Sequence, residues 1–267
     1  MCMFEKVLNT NMNKLPVSAI VTIYNGDHLL ERCLNKLAFC DELYVVDLGS
    51  RDRSVEIAKK YATRVIQSER IPFVEKVLVK FVPELKNDWV LHVDPDEVLD
   101  SGLISEIKKE IESDKSIAVV RVPWVFYLKE KKLKTTIWGR EKYKRILYNK
   151  QRVKFKPIVH EGVEIISGEE VMIKSKHVLH HYWMNSYRQL IEKHKRYIKA
   201  EGQRRFENDE KYSFLKKAYE TFKALAMNLF YYKGILGGPR AWFLSFFYSW
   251  YVWQSNNSLK KYEREIK

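Results

Sequence analysis

The first third of the chain alternates short apolar runs with amphipathic stretches, and this alternation constrains the fold more than any other feature. Residues 17–23 are almost wholly apolar and rich in β-branched side chains, which predicts a buried central strand. A helical stripe over 29–37, a strand over 43–47, a second helix and a short strand at 65–66 follow. Such alternation predicts right-handed βαβ units and therefore a parallel sheet.

A further apolar run, residues 89–93, ends directly in the carboxylates Asp94, Asp96 and Glu97. Open α/β sheets bind their ligands at the carboxyl ends of the strands. Two acids one residue apart offer the oxygen ligands that Mg²⁺ and Mn²⁺ share with substrate phosphates. The pattern predicts a divalent cation site for a nucleotide-linked substrate. The alternative is that Asp96 or Glu97 only caps the next turn.

Proline and histidine shape the expectations for the middle of the chain. A helical stripe over 73–85 is expected to kink or end near Lys80, because Pro83 removes a backbone donor. Residues 117–127 are predicted to form a strand. Residues 171–182 are predicted to form one further strand that carries three histidines, His177, His180 and His181.

The composition indicates the cellular compartment in which the protein is expected. The chain has 267 residues and 46% hydrophobic content, enough for a sizeable core. Three cysteines without metal-ligand spacing fit a reducing compartment. The amino terminus has no signal-peptide pattern, and no window reaches the roughly 20 apolar residues that span a bilayer. We therefore expect a cytoplasmic protein.

The net charge of +14 is unevenly distributed. Residues 1–100 hold 13 Lys/Arg against 16 Asp/Glu, whereas residues 128–156 hold 12 against 2. Such a basic block attracts polyanions such as nucleic acid, anionic lipid or phosphorylated glycolipid. A solvated lysine-rich loop is the alternative.

The C-terminal third is predicted to be helical, with a stretch over 242–253 in which eight of twelve residues are aromatic. The stretch is too short to span a bilayer, and its Trp and Tyr content is typical of a helix in the membrane interface. Packing against the sheet domain is the alternative. We favour the interface, because so large an aromatic patch would not stay exposed to water.

Three motifs follow the predicted strands in order: Thr22-Ile23-Tyr24-Asn25, Asp47-Leu48-Gly49-Ser50-Arg51-Asp52 and Asp94-Pro95-Asp96-Glu97. Together they resemble the inverting family 2 glycosyltransferases of the GT-A fold. Val159-His160-Glu161, His181-Tyr182, Lys193 and Arg196-Tyr197 resemble elements of the bacterial subgroup that contains lipopolysaccharide-core β-1,4-glucosyltransferases. The resemblance covers about residues 16–200.

The resemblance implies a role for each matching residue. Thr22, Tyr24 and Asn25 would lie at the nucleotide, with the Tyr24 ring stacked on the base. Asp47 would accept a hydrogen bond from the uracil N–H, and a carboxylate there would discriminate between bases. Asp94 would lie near the ribose and the metal, and Asp96 would bind the metal directly.

The same resemblance supplies the catalytic base. Inversion needs one base opposite the leaving group, and Glu161 is our choice, with His160 as the second candidate. His181 would bind metal or diphosphate, unless it is a hydrogen-bonded core histidine. Lys193 and Arg196, three apart on a predicted helix, would close over the diphosphate, or else they are solvated charges.

These inferences predict an α/β fold, a GT-A type Rossmann-like sheet with helices on both faces, plus a helical C-terminal segment. The expected parts are an extension over 1–15, a catalytic domain over 16–185 and the helical segment over 186–267. The expected reaction is metal-assisted transfer of a sugar from a nucleotide diphosphate donor, with UDP the expected nucleotide and Mn²⁺ or Mg²⁺ the cofactor.

The expected acceptor is a hydroxyl of a glycan or lipid-linked saccharide in cell envelope polysaccharide biosynthesis. The basic block and the aromatic tail would then hold the enzyme on the inner face of the cell membrane, an anionic surface.

Other functions remain open. A nucleotidyltransferase would share the sheet and the acids, but residues 24–27 are not the glycine-rich, basic phosphate loop expected of it. A nucleic-acid-binding protein would suit the charge and leave the acids unexplained, so no nucleic acid partner is expected. A GT-A scaffold without activity is the third alternative.

Overall fold

The computed structural model describes residues 14–71, 73–113, 116–157 and 162–266. The chain forms two compact units. The first, the sheet unit, holds the residues up to Trp124 and residues 143–181; the second, the helical unit, holds residues 125–142 and those from Tyr182 onward. The predicted domain limits stay predictions, and residues 1–13 of the predicted extension lie outside the described residues.

The strands of the described residues are β1 (Leu15–Ile23), β2 (Cys40–Asp47), β3 (Arg64–Gln67), β4 (Trp89–His92), β5 (Glu97–Leu99), β6 (Ile117–Leu128), β7 (Lys131–Lys132), β8 (Tyr143–Asn149), β9 (Val153–Phe155), β10 (Val163–Ile165), β11 (Glu169–Met172) and β12 (Leu179–Met184). The helices are α1 (Asp27–Lys36), α2 (Ser54–Tyr61), α3 (Val74–Phe81), α4 (Ser101–Ile111), α5 (Thr136–Gly139), α6 (Tyr187–Glu207), α7 (Phe214–Ala226) and α8 (Gly238–Ile266).

The main sheet has the strand order β3-β2-β1-β4-β8-β6-β12-β5, with β11 and β7 also paired to β6. Strands β1 to β4 pair in parallel, as predicted. Beyond β4 the sheet is mixed, because β8 runs antiparallel to both β4 and β6. Strand β12 pairs antiparallel with β5. The carboxyl ends of β1, β2 and β4 therefore lie at one edge.

Helices cover both faces of this sheet, as predicted. Along β1, Val17, Ala19 and Val21 point into one core cluster with residues of α1, α2 and α4. Ile20 points into a second cluster with residues of α3. This alternation follows from the two-residue period of a strand buried on both sides.

Two expectations about local structure had different outcomes. Helix α3 ends at Phe81, and a 3₁₀ turn over Val82–Glu84 holds Pro83, which confirms the predicted end of the helix. The single strand predicted over 171–182 is wrong, because β11 ends at Met172 and β12 begins only at Leu179. Between them the backbone N–H of Val178 donates to Asp100 Oδ2 (3.0 Å) instead of to a neighbouring strand.

The helical unit is built mainly on α6, α7 and α8, which confirms a helical C-terminal segment. The aromatic stretch lies inside α8, and one side of it is buried: the His194 ring of α6 meets the Phe247 ring edge-on at 4.9 Å between centroids. Trp242, Phe243 and Phe246 are exposed. One side of the stretch thus belongs to the core of the helical unit, whereas the packing alternative expected contact with the sheet domain. Within the described part of the chain, no helix is both long and apolar enough to cross a membrane.

Candidate active site

The loops after β1 and β2 are tied together by hydrogen bonds. The Asn25 N–H donates to Ser50 Oγ (3.0 Å), and the Arg51 N–H donates back to Asn25 Oδ1 (2.8 Å). The Gly26 N–H donates to Ser54 Oγ (3.0 Å). Asn25 has a left-handed backbone with φ of 50°, which asparagine tolerates better than most residues. The two loops are therefore positioned without a ligand.

Asp52 fixes the starts of two helices. Its Oδ2 accepts from the Asp27 N–H (3.1 Å) at the first residue of α1, and its Oδ1 accepts from the Ser54 N–H (3.0 Å) at the first residue of α2. Burial opposes ionisation of this carboxyl, but the hydrogen bonds from Ser54 and Asp27 outweigh burial and hold its pKa below the usual value. The carboxylate complements the positive end of each helix dipole.

Asp47 and Thr22 lie at the carboxyl ends of neighbouring strands, with Ile23 paired to Asp47. Asp47 is buried, and its Oδ1 accepts from the Ser50 N–H (3.0 Å). The Thr22 hydroxyl is buried and has no hydrogen-bond partner among the described residues. A buried hydroxyl without a partner is costly, so a ligand atom that bonds it would be stabilised.

Tyr24 is half exposed just beyond β1, and Arg70 lies over its ring at 4.7 Å from the centroid. Arg70 also lines an open cleft of about 710 Å³ together with Lys76 and Lys80. The three cations around this cleft could bind an anionic ligand. An aromatic base of the same ligand could stack on the exposed ring of Tyr24.

Residues 93–97, which follow β4 and which we call the acid loop, lie next to the loop after β1. A Cβ atom at Gly26 would lie 3.8 Å from the Pro95 side chain, which is ordinary van der Waals contact. Behind the acid loop, the Cys33 thiol of α1 lies 3.5 Å from the Asp94 carbonyl oxygen. The structure therefore brings the three predicted motifs together at one edge of the sheet.

Lys144 of β8 forms ion pairs with two acids of this loop. Its Nζ lies 2.7 Å from Asp94 Oδ2 and 2.6 Å from Glu97 Oε2. Glu97 Oε2 also accepts from the Asp94 N–H (2.8 Å), so Glu97 fixes the loop as well as the lysine. Glu97 is thus a buried structural acid that binds both Lys144 and its own loop, which is more than the capping of the next turn that the alternative expected.

The charges of this triad are set by burial and by each other. Burial disfavours the charged form of Lys144, but Asp94 and Glu97 outweigh burial and raise its pKa. Burial also opposes ionisation of Asp94, yet Lys144 and His92 bring its pKa well below normal. For the fully buried Glu97, burial dominates and raises the pKa. Burial lowers the pKa of His92 to about 4, so His92 is neutral at pH 7.

Asp96 lies beside His181, with 3.3 Å between Asp96 Oδ2 and His181 Nε2. The His181 ring stacks on Trp124 at 5.0 Å between centroids with an interplanar angle of 7°. Two of the three predicted metal ligands, Asp96 and His181, are therefore adjacent, and the His181 ring is fixed in orientation.

Asp96 and His181 are the candidate ligands for a divalent cation, which would bind them as an open site. Across the four described ranges, no three His, Cys, Asp or Glu side chains group closely enough to hold a metal alone. Asp94 is already engaged by Lys144. Two protein ligands suit Mg²⁺ or Mn²⁺, because such ions take their remaining positions from substrate phosphates and water.

The other two histidines of this region are structural. His180 Nε2 lies 3.0 Å from Asp100 Oδ1. His177 packs so closely on Gly102 that a Cβ atom there would lie 2.4 Å from the imidazole ring. Only the third histidine, His181, lies beside the acid loop.

Three residues at the site were missed by sequence reasoning: Lys144, Trp124 and Arg70. Lys144 and Asp94 are 50 residues apart and meet because β8 pairs with β4. For Lys144 one signal in the sequence was available. The lysine shares a strand face with Ile146 and Tyr148, and a lysine on an otherwise apolar face indicates a buried acidic partner.

The remaining predicted residues are placed as follows. Lys193 and Arg196 lie on α6 in the helical unit, where Lys193 is half-buried and Arg196 is exposed. His160 and Glu161 lie outside the described residues. Their predicted roles stay predictions.

Comparison with known proteins gives a family. A family model described as "Glycosyl transferase family 2" matches residues 18–165, more than half of the chain. The matched region contains the three motifs and the lysine Lys144.

Curated relatives are similar to this chain over part of their length. The chain is 33% identical over 94 residues to a Rickettsia bellii protein named an uncharacterized glycosyltransferase, which covers 34% of this chain and 31% of that protein. It is 25% identical over 153 residues to the cholesterol galactosyltransferase of Borreliella burgdorferi, which covers 51% of this chain and 43% of that protein. The chain thus spans less than half the length of these relatives.

Solved structures show more distant likeness. S. aureus TarS matches with a TM-score of 0.43 at 16% identity, over 62% of this chain and 60% of that chain. Glucosyl-3-phosphoglycerate synthase from Mycobacterium tuberculosis matches with a TM-score of 0.36 at 18% identity, over 40% and 43%.

Proposed function

The chain belongs to glycosyl transferase family 2 and is a glycosyltransferase, and from that premise we propose that it transfers a sugar from a UDP-linked donor to a hydroxyl group with inversion. Family membership favours this over the nucleotidyltransferase and the two non-catalytic alternatives. The observation that carries the proposal is the meeting of Asp96 and His181 at the edge where the loops after β1 and β2 also lie.

The nucleoside would bind at the ends of β1 and β2. The base would stack on the exposed Tyr24 ring, and Asp47 would accept the N–H of the uracil. The Thr22 hydroxyl and the Asn25 loop would contact the nucleotide, which would give the Thr22 hydroxyl a partner. Arg70 now lies over Tyr24 and would shift beside the base.

The diphosphate would lie at the acid loop. Asp96 and His181 would hold Mn²⁺ or Mg²⁺, with Asp94 toward the ribose. When bound, such an ion stabilises the charge that develops on the departing nucleoside diphosphate. Lys144 keeps Asp94 ionised and fixed in position, and Trp124 fixes the His181 ring. Lys193 and Arg196 of α6 are proposed to close over the phosphates.

The chemical step needs a base on the opposite side of the sugar. Glu161 is proposed to take the proton of the acceptor hydroxyl while that oxygen attacks the anomeric carbon. The new glycosidic bond forms as the bond from the anomeric carbon to the phosphate oxygen breaks, and the electron pair leaves with the nucleoside diphosphate. Attack from the opposite side inverts the configuration.

The acceptor is proposed to be a glycan or lipid-linked saccharide of the cell envelope, as in the lipopolysaccharide-core subgroup. The name of the Borreliella relative gives a lipid acceptor, cholesterol, which supports a lipid-linked substrate. An enzyme with such an acceptor would work on the inner face of the cell membrane as a peripheral protein.

One pair of assays tests the proposal. The full chain is incubated with a cell-envelope lipid extract as acceptor and with UDP-glucose, UDP-galactose or GDP-mannose, each with and without Mn²⁺, and release of nucleoside diphosphate is measured. We expect metal-dependent release from one of the UDP sugars. Glu161→Gln should abolish release and keep donor binding in calorimetry. Release from the GDP sugar alone, or full turnover by the Gln variant, would contradict the proposal.

A further inference from the structure

Helix α7 presents its apolar side to solvent. Phe214, Leu215, Tyr219 and Phe222 are between 62% and 79% exposed. At about 100° per residue, these side chains and Ala218 fall within one arc of about 140°. An amphipathic helix of a water-soluble protein normally turns this side inward.

The polar side of α7 is turned inward instead. Lys217 is buried, donates to Asn257 Oδ1 (2.7 Å) and lies over the Trp253 ring. Glu220 Oε2 accepts from Arg205 (3.2 Å) and from Asn256 (2.9 Å). The polar residues of α7 thus bind α6 and α8, and the orientation of the helix is fixed by buried hydrogen bonds.

The exposed apolar side chains continue along the chain after α7. Phe230, Tyr231, Ile235 and Leu236, in the connection between α7 and α8, are between 49% and 79% exposed. Near the start of α8, Trp242 and Phe246 are also exposed. We call the exposed side of α7, this connection and these two rings the apolar face. Monomeric proteins rarely expose so many large apolar side chains in one segment unless they bind something there.

The charges around the apolar face identify what it binds. Residues 211–246 contain six basic residues and one acidic residue, Glu220, which is bound internally to Arg205. Lys211, Lys223 and Lys233 are exposed, and Lys223 lies 5.8 Å from the Tyr219 ring. Aromatic and aliphatic side chains bordered by lysine fit the boundary between anionic headgroups and acyl chains.

We propose that the apolar face docks on an anionic lipid bilayer and holds the protein in the membrane interface. The aromatic rings enter the headgroup region, and the flanking lysines contact lipid phosphates. No described helix can cross a bilayer, so the contact lies along the surface. The docking surface is therefore centred on α7, and the buried half of the aromatic stretch in α8 is not part of it.

Vesicle sedimentation of the full chain tests this proposal. The vesicles contain either phosphatidylcholine alone or equal parts of phosphatidylcholine and phosphatidylglycerol. The double variant Phe214→Ser/Phe222→Ser removes two exposed rings. The double variant Ile166→Ser/Met172→Ser changes two exposed apolar residues of the sheet unit and serves as the matched control.

We expect the wild type and the control to sediment with the anionic vesicles, and much less with the neutral ones. The Phe214/Phe222 variant should lose at least about tenfold in affinity per ring. Unchanged circular dichroism and an unchanged melting temperature would show that this variant is folded, as expected for exposed positions.

Three results would overturn the proposal. One is sedimentation of the Phe214/Phe222 variant like the wild type, and another is equal binding to neutral and anionic vesicles. The third is a wild type that stays off vesicles and forms a dimer that the same variant breaks, because the apolar face would then be a protein interface. UDP binding measured on the same samples reports separately on the proposed donor site.

Discussion

Replacement of Lys144 by methionine would test whether the acid loop depends on its built-in cation. Methionine keeps much of the length and volume of the side chain and removes the ammonium, with both its charge and its hydrogen-bond donors. Two carboxylates would then lose the ammonium that lies within 2.7 Å of both. The backbone N–H of Asp94 would still be bonded to Glu97, so the variant isolates the contribution of the ammonium.

The loss of stability expected for Lys144→Met follows from the burial of the ion pairs. Removal of one partner of a buried ion pair costs about 3–5 kcal/mol. The Glu97 side chain is fully buried and the Asp94 side chain is 38% exposed. Because Glu97 can take up a proton and Asp94 can be hydrated, we expect the lower end, about 3 kcal/mol. For a chain of this size that corresponds to a fall in Tm of roughly 6–12 °C at neutral pH.

The pH dependence has a definite sign. Lys144 keeps the pKa of Asp94 low, so the stability contributed by the Asp94 carboxylate is present at neutral pH and is lost as the pH falls. Glu97, whose pKa is raised by burial, protonates before a normal glutamate would. Once both acids are neutral, Lys144 has no charge to compensate. The difference in Tm between variant and wild type should therefore shrink below about pH 4.

Thermal unfolding followed by circular dichroism between about pH 2 and pH 8 measures this difference. Lys154→Met, an exposed lysine of β9 changed in the same way, is the control and should unfold with the wild type. A Lys144→Met protein with wild-type Tm at pH 7, or a deficit that grows as the pH falls, would refute the electrostatic account.

Two further predictions concern the base-binding loop and the histidine packing. Tyr24→Ala should weaken UDP binding by about 1–3 kcal/mol, the usual value of stacking between a base and an aromatic ring, and Tyr24→Phe should not; equal calorimetric affinities for the two variants would remove the stacking role. Gly102→Ala should lower the free energy of unfolding by about 1–3 kcal/mol in urea titration, because the new methyl group would clash with the His177 ring. A wild-type midpoint would show that His177 moves away at little cost.

The strands that carry the candidate site could be predicted from the sequence because they are buried on both sides. Runs such as 17–23 and 89–93 are mostly apolar, and each ends at a polar loop, so strand ends and candidate ligands were predicted together. The same logic failed for 171–182. There the chain leaves one strand after Met172 and starts another at Leu179, and local periodicity does not show where such an interruption falls.

The features of the site that the sequence did not predict depend on contacts between residues distant in the chain. Nothing local to Lys144 indicates that its ammonium lies against Asp94 and Glu97, because the approach depends on β8 pairing antiparallel with β4. The adjacency of Asp96 and His181 was expected from family resemblance alone. Alternation along β12 explains why His181 reaches the acid loop and His180 instead bonds Asp100.

The burial of the aromatic stretch in α8 was also beyond the sequence. Its composition suits both a membrane interface and a helix core, and only the packing of α8 on α6 shows which side of the stretch is buried. Because α7 turns its polar residues Lys217 and Glu220 inward, the exposed apolar surface lies on α7, which sequence reasoning did not single out.

The central claim is that the edge formed by the first strands binds a nucleoside diphosphate with a divalent cation held at Asp96 and His181. Isothermal titration of the full chain with UDP, with and without Mn²⁺, tests it most directly when Asp96→Asn is titrated beside the wild type. Asparagine keeps the size of the side chain and removes its charge. We predict UDP binding that requires Mn²⁺ in the wild type and is lost in the variant. UDP binding of equal affinity without metal, or in Asp96→Asn, would contradict the account.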